Sequence, residues 1–373
     1  MESNSSHNLS VLEEPTFSNA SNRSCDFLSP SVSRYQKSLI PVVYMLIFIL
    51  GFLGNVLAVC VLGQKSLRST VANTYLLNLA MSDLFFLSSL PFWAAYYVLD
   101  YDWPFGSFMC KLCGALSSLN IYASIFFITG MSVDRYRAIV YPLRSHCHES
   151  RYRAKSVFQA RCLCAIIWVL ATLTTVPTIV FRETHYLSDF NVTVCGIKYP
   201  GELWHATLTL AKNFLGFVIP FIVIAICYGR IGWHLLASPD LVEPDSARLE
   251  RVRRLALAVV AAFFVCWFPF HVLAFMGALK ELGVEWSCGA ERALGAMMPA
   301  SLSLGFANSA VNPLLYCFVG NRFRQQLRRL CEEKVPKIAM QKRDSVSMRL
   351  SSFSRNLSDT KDTVASTNPE DRL

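Results

Sequence analysis

The apolar stretches of this 373-residue chain hold two formal charges in their interiors, Asp83 and Lys212. A charge in hydrocarbon costs on the order of 2.5–3.5 kcal/mol by insertion scales, so such residues usually line polar cavities and have functions. Uncharged polar residues accompany Asp83: Asn55 in the first stretch, Asn120 and Ser124 in the third, and Asn308, Ser309 and Asn312 in the seventh. Hydrocarbon offers such groups no partner, so they either glue pairs of helices or converge on one wet pocket. As a set they point to a pocket around Asp83 suited to water or a small cation.

Three motifs have mechanical content. Asp134-Arg135-Tyr136 closes the third stretch, where an arginine held by its neighbouring aspartate could be released to meet a partner. Cys266-Trp267-Phe268-Pro269 places a proline inside the sixth stretch, and Asn312-Pro313-Leu314-Leu315-Tyr316 does the same near the inner end of the seventh. Each proline removes a backbone hydrogen bond and kinks its helix. One such motif alone is weak, but three at matching depths are specific.

The elements that position these residues follow from composition. Apolar runs occupy roughly 39–62, 71–99, 112–133, 162–181, 206–229, 255–279 and 293–319. Each meets the about 20 residues a helix needs to cross a bilayer. With 53% hydrophobic and 16% charged residues and a mean hydropathy of +0.36, an ordinary soluble domain is excluded. The expected fold is an all-α membrane protein, a seven-transmembrane helix bundle over residues 38–319. A tail of residues 1–37 precedes it. A short amphipathic helix at 320–331 and a Ser/Thr-rich tail at 332–373 follow, the tail expected to be disordered and open to phosphorylation.

Loop charge sets the expected orientation. Lys65, Arg68, Arg144, Arg151, Arg153, Lys155, Arg248, Arg251, Arg253, Arg254 and the tail from Arg322 share one side, which is cytoplasmic by the positive-inside rule. The amino end is then outside, in a multi-pass plasma-membrane protein. The net charge of +9 is a topology signal and calls for no nucleic acid. No apolar signal segment precedes residue 25, so the first membrane helix is expected to direct insertion. Glycosylation sequons at Asn4, Asn8, Asn19, Asn22 and Asn191 all lie on the expected outside.

The thirteen cysteines divide by compartment. Cys25, Cys110, Cys195 and Cys288 lie on the oxidising side and can form two disulfides, with three pairings open and Cys110–Cys195 with Cys25–Cys288 favoured. Cys60, Cys162, Cys164, Cys227, Cys266 and Cys317 fall in apolar runs as expected packing residues. Cys331 follows the amphipathic stretch and is either a palmitoyl anchor to membrane lipid or a plain thiol. No cysteine–histidine set has metal-ligand spacing.

With these motifs the chain, over about residues 38–331, resembles the rhodopsin-like G-protein-coupled receptors. The resemblance implies a two-state switch in which an outside ligand repacks helices around Trp267 and the inner half of the sixth helix swings out. It assigns Pro220, Ile125 and Phe263 to the switch core, and Tyr228 and Tyr316 to stabilising the open state. It makes Asp83, Asn120 and Ser124 part of a sodium pocket, with no other cofactor. A heterotrimeric G protein or arrestin is the implied cytoplasmic partner. The break at Ser89-Leu90-Pro91 and the Cys25–Cys288 pair are features shared with peptide receptors, chemokine receptors among them.

Within that family the resemblance is nearest to the angiotensin II receptors, the type 2 branch above all. It is carried by Tyr101-Asp102-Trp103, by Asn120 to Arg135, by Lys212 to Phe217, by Pro269 to Leu273 and by Phe318 to Phe323. Arg182 and Lys212 match residues that hold the peptide, the lysine at its carboxyl end, over a pocket rimmed by Tyr44, Trp93 and His271. Two cations there suit an anionic ligand group. One departure stands out. Gly277 and Gly295 occupy positions where those receptors have aspartates that engage the peptide's arginine. Glu281 and Glu291, one turn outward, are the expected substitutes. An enzyme is not expected, because no nucleophile–base pair or metal set is present. A transporter would need repeats and a midplane path. The alternatives kept open are a chemokine-like or other peptide receptor and a decoy with little signalling.

Overall fold

The computed structural model describes residues 30–64, 70–141, 149–188, 190–237, 246–319, 323–329 and 332. Cys25, Cys331 and the sequons at Asn4, Asn8, Asn19 and Asn22 lie outside the described residues. The main unit is built from α1 (Pro30–Leu62), α2 (Val71–Leu87), α3 (Leu90–Val98), α4 (Gly106–Val140) and α5 (Glu149–Phe181). A β-hairpin follows, β1 (Arg182–Leu187) and β2 (Val192–Ile197). Then come α6 (Glu202–Asn213), a π-helical segment (Phe214–Val218), α7 (Ile219–Ala237), α8 (Ser246–Glu281) and α9 (Cys288–Val319). Residues 323–329 form a short helix of their own.

Two of the crossings are interrupted, for reasons written in their residues. Pro91 cannot donate a backbone hydrogen bond, which breaks the second crossing into α2 and α3. Ser88 Oγ donates to the Phe85 carbonyl and Ser89 Oγ to the Phe86 carbonyl, each at 2.7 Å, so the carbonyls at the break keep partners. In the fifth crossing Pro220 again lacks its N–H, and the chain widens to π geometry just ahead of it. There the Ile219 N–H closes onto the Phe214 carbonyl. Counting α2–α3 and α6–α7 once each, seven crossings are present among the described residues.

Six of these crossings are long and apolar enough to span a membrane. The seventh, α9, is 32 residues long. It carries buried polar residues and two internal prolines, Pro299 and Pro313. α4 is the central post, packed against α2, α5, α7, α8 and β1, while α9 closes the ring between α1 and α8. Many large apolar side chains of α1, α5 and α7 point outward, Leu50 and Phe158 among them. The interior instead buries Asp83, Asn120, Ser124, Asn308, Ser309 and Asn312. That inversion is what a bundle with lipid as its outer solvent requires. Cys60 and Cys162 also face outward, so they are not the interior packing residues expected, whereas Cys164, Cys227 and Cys266 are buried.

Candidate functional site

At the hairpin end of the bundle, Cys110 at the start of α4 is bonded to Cys195 on β2. Cys288 is also disulfide-bonded, and its expected partner Cys25 lies outside the described residues. The hairpin pairs Thr184 with Cys195 and carries Asn191 exposed at its tip, where the Tyr186 hydroxyl donates to Asn191 Oδ1 at 2.7 Å. Tyr101-Asp102-Trp103 docks on the hairpin: the Trp103 N–H donates to the Thr193 carbonyl at 2.6 Å, and the Thr193 N–H donates to Asp102 Oδ1 at 2.8 Å. This clamp holds β2 of the hairpin against the loop before α4, and Arg182 is the first residue of β1.

Arg182 is 5% exposed, and its guanidinium lies 5.3 Å from the centre of the Trp93 ring. An arginine stacked on an aromatic face is held in orientation by that contact, and a planar guanidinium is a shape that matches a carboxylate. Gly114 of α4 makes the room, because a Cβ there would stand 2.3 Å from Arg182 Cδ and Nε.

Lys212 sits in the last turn of α6, directly before the π segment. Its charge acts on the ring of His271, which is buried in α8. His271 is held by a two-point link, its Nδ1 lying 2.7 Å from Asn213 Oδ1 while Asn213 Nδ2 donates to the His271 carbonyl at 3.2 Å. Phe217 of the π segment packs on the same ring at 4.7 Å between centres.

A run of touching rings joins the two cations' surroundings. It passes from Trp93 through Tyr96, Tyr97, Tyr44, Phe306 and Trp267 to His271, with adjacent centres 5.4–6.4 Å apart. Tyr44 at 1% exposure and His271 at 5% are buried wall, not rim as expected. The glutamates next to the unusual glycines are engaged with the protein. His205 Nδ1 lies 3.7 Å from Glu281 Oε1, and Lys280 Nζ lies 3.3 Å from Glu291 Oε2.

Deeper in, the polar set does converge. Asp83 Oδ1 accepts from Asn120 Nδ2 at 2.9 Å and from Ser309 Oγ at 2.7 Å, and its Oδ2 accepts from Asn312 Nδ2 at 2.9 Å. Ser124 Oγ accepts from Asn120 Nδ2 at 3.3 Å. Asn55 stands apart as a clasp between α1 and α9, donating to the Ser309 carbonyl at 2.8 Å. Both side-chain polar atoms of Asn308 are buried without a hydrogen bond, as are Asn312 Oδ1 and Asn55 Oδ1.

Toward the far end, Ile125, Phe263 and Pro220 are buried from three different crossings. Phe263 lies 6.3 Å from Trp267. Arg135 Nη2 pairs with Asp134 Oδ2, and the Tyr136 hydroxyl faces Tyr141 at 3.4 Å. Tyr228 is half-buried on α7, Pro313 is buried in α9, and the Tyr316 side chain lies outside the described set.

Some working parts escaped the sequence reading. The π segment, Gly114 under Arg182, and Gly305, whose Cβ would meet the Trp267 ring at 2.7 Å, are three of them. Pro220, which lacks the N–H a regular helix would use, is the sequence signal for the first. The two glycines acquire meaning only from a neighbour on another element.

A seven-helix bundle with this polar centre and these kinks defines a membrane receptor. The profile of the 7 transmembrane receptor (rhodopsin family) matches residues 54–316, and the chain belongs to that family. It is 42% identical over 322 residues to the type-2 angiotensin II receptor of Homo sapiens, covering 85% of this chain and 86% of that one. It is 42% identical over 322 residues to the type-2 receptor of Rattus norvegicus, with the same two shares. Identity to the type-1 angiotensin II receptor A of Xenopus laevis is 37% over 324 residues, 86% of each chain. The family is one of receptors, not of enzymes.

Proposed function

We propose that this receptor takes an angiotensin-like peptide at its hairpin end, with the amino end outside the cell, and signals to a G protein or arrestin at the Asp134-Arg135 end. The observation that carries the ligand class is a pair of cations, Arg182 stacked on Trp93 and Lys212 next in sequence to Asn213, which holds His271, with their surroundings joined by one aromatic wall. Two such donors favour an anionic group in a largely apolar chain segment, as at a peptide's carboxyl end. The peptide's arginine is read less strongly than in angiotensin II receptors, because Gly277 and Gly295 offer no carboxylate and Glu281 and Glu291 already have partners.

Binding of angiotensin II and of its carboxy-amidated analogue to cells expressing the whole chain tests this reading. A clear preference for the free acid is expected, and equal affinity would remove Arg182 and Lys212 from the carboxylate role. Ligand-dependent G-protein and arrestin recruitment separates a signalling receptor from a decoy. Staining of an amino-tail epitope on unpermeabilised cells tests the orientation.

A sodium ion suits the centre of the bundle. Asp83, Ser124, Ser309 and Asn312 offer one carboxylate and several neutral oxygens, and Asn312 Oδ1 and Asn308 are buried with polar atoms left over. Such a hard-oxygen set fits a small cation. When bound, the ion supplies positive charge that favours the compact, inactive packing.

A further inference from the structure

Outward of Lys212 and His271, the same two helices meet again at a second histidine. His205 stands near the start of α6, seven positions before Lys212. Seven residues make nearly two full turns and a rise of about 10 Å, so the two side chains share a face of α6. Across the packed seam from His205 is Glu281, the last residue of α8. Its Oε1 lies 3.7 Å from His205 Nδ1. Gly277, one turn inward on the same face of α8, offers no carboxylate in place of Glu281.

Both side chains are largely out of water, at 9% and 16% exposure. A carboxylate so placed is costly unless a cation or a donor answers it. A gap of 3.7 Å is too long for a hydrogen bond, and His205 Nδ1 is buried with none. The two atoms face each other at the spacing of an ion pair that one proton on the ring would complete. The ring is held in that pose by packing. Tyr199 lies on it at 5.5 Å between centres and 32° between planes, and Phe181 of α5 backs Tyr199 at 5.3 Å.

Among the described residues, the titratable group that meets this ring from α8 is Glu281, and from the segment between β2 and α6 it is Tyr199. The π segment carries no titratable residue. Lys280, beside Glu281, is paired with Glu291 of α9 at 3.3 Å. Whether the negative charge of Glu281 is open to a ligand therefore depends on the charge of the His205 ring. Histidine is the side chain whose charge ordinarily changes between about pH 5 and 8.

We propose, resting on the peptide reading above, that His205 gates Glu281 as the reader of the ligand's cationic group. With His205 neutral, Glu281 takes a guanidinium or ammonium of the peptide. With His205 protonated, the imidazolium occupies Glu281 and ties α6 to α8, and the same group is refused. A ligand cation on Glu281 and a proton on His205 then oppose each other, by the reciprocity of linked sites.

The test is competition binding on cells expressing the full chain, from about pH 8 down to about pH 5.5. Angiotensin II is compared with an analogue whose arginine is replaced by citrulline, which is neutral and nearly the same shape. The ratio of the two affinities cancels the titration of every group that both peptides carry or meet alike. A preference for arginine of about tenfold is expected at the alkaline end, falling to near parity at the acid end. His205→Phe keeps a ring for Tyr199 and takes up no proton, so its preference should stay high throughout. His205→Gln gives the same reading should the phenylalanine variant fail to reach the surface. Glu281→Gln should show little preference at any pH. A ratio that does not move with pH in the unaltered receptor, or that moves equally in both His205 variants, would overturn the gate. NMR of the isotope-labelled histidines in purified, ligand-free receptor supplies a readout that no peptide enters. The signal lost in His205→Phe should titrate over the same range, and its titration should move in Glu281→Gln. If neither peptide binds at any pH, the peptide reading is lost and this signal alone decides the pair. A titration indifferent to Glu281→Gln would then overturn it.

Discussion

At the scale of single residues, a buried cation is useful to a ligand only while its position is held, and two positions can be tested separately. Lys212→Gln removes a charge and keeps most of the side-chain volume. A charge-assisted hydrogen bond contributes about 1.5–3 kcal/mol, so affinity for the acid-ended peptide should fall by roughly 10- to 100-fold. Affinity for the amidated peptide should hardly change, and competition binding of the two on one preparation reads the difference. Gly114→Ala attacks Arg182 indirectly, since the new methyl would occupy the place of its Cδ and Nε. A loss of about tenfold for the acid is expected with surface expression intact, because one flexible end is displaced and no backbone. On β1, burial holds the His185 ring below the ordinary histidine value against the opposing pull of Glu183. The folded hairpin therefore takes up that proton less readily than the unfolded chain, whose ordinary histidine value is about 6.5. The stability that results is present above that pH and is lost as pH falls through it. The unfolding midpoint should drop between about pH 7.5 and 5.5, and the drop should be smaller in His185→Gln.

At the scale of elements, the crossings were legible because composition alone sets them. A helix in lipid needs length and apolar side chains and little else, and each apolar run reappears as a helix or a broken pair of helices. The break at Ser89-Leu90-Pro91 was legible for the same local reason, a missing donor. The hairpin was not, since Arg182–Leu187 and Val192–Ile197 are anchored by partners far away in sequence, the Cys110–Cys195 bond and the Trp103 clamp. Nor was the fit of α8 on α9, where Gly305 lets the Trp267 ring lie against the helix backbone. That contact predicts its own test. A methyl at Gly305 must push a rigid, buried indole, and overpacking of this kind costs about 1–3 kcal/mol. Gly305→Ala should lower the thermal midpoint of the purified receptor without altering its Cys110–Cys195 bond. An unchanged midpoint would mean that Trp267 moves aside freely and is not pinned between α8 and α9.

At the scale of the whole molecule, the two charges of the apolar runs take part in different equilibria. Lys212 sits where a ligand enters, whereas Asp83 ties α2 to α4 and α9 through Asn120, Ser309 and Asn312 and can sense how those helices pack. The convergence of this set was legible as polarity in apolar runs. Its direct hydrogen bonds were not, because they depend on a shared depth that no single stretch encodes. A cation that binds one packing better than the other shifts the equilibrium only by that difference in affinity. Coupling between two sites commonly amounts to about 1–3 kcal/mol, or roughly 5- to 150-fold. Replacing sodium chloride by choline chloride at constant ionic strength leaves screening unchanged and removes only the specific ion. Agonist affinity of the unaltered receptor should then rise by at least several-fold within that range. In Asp83→Asn the carboxylate charge is gone, and one of its oxygens becomes a donor facing another donor, Asn312 Nδ2 or the pair at Oδ1. The same exchange of salts should leave its affinity flat. An equal response in both proteins would place the sodium effect elsewhere, and no response in either would reduce Asp83 to a strut between helices.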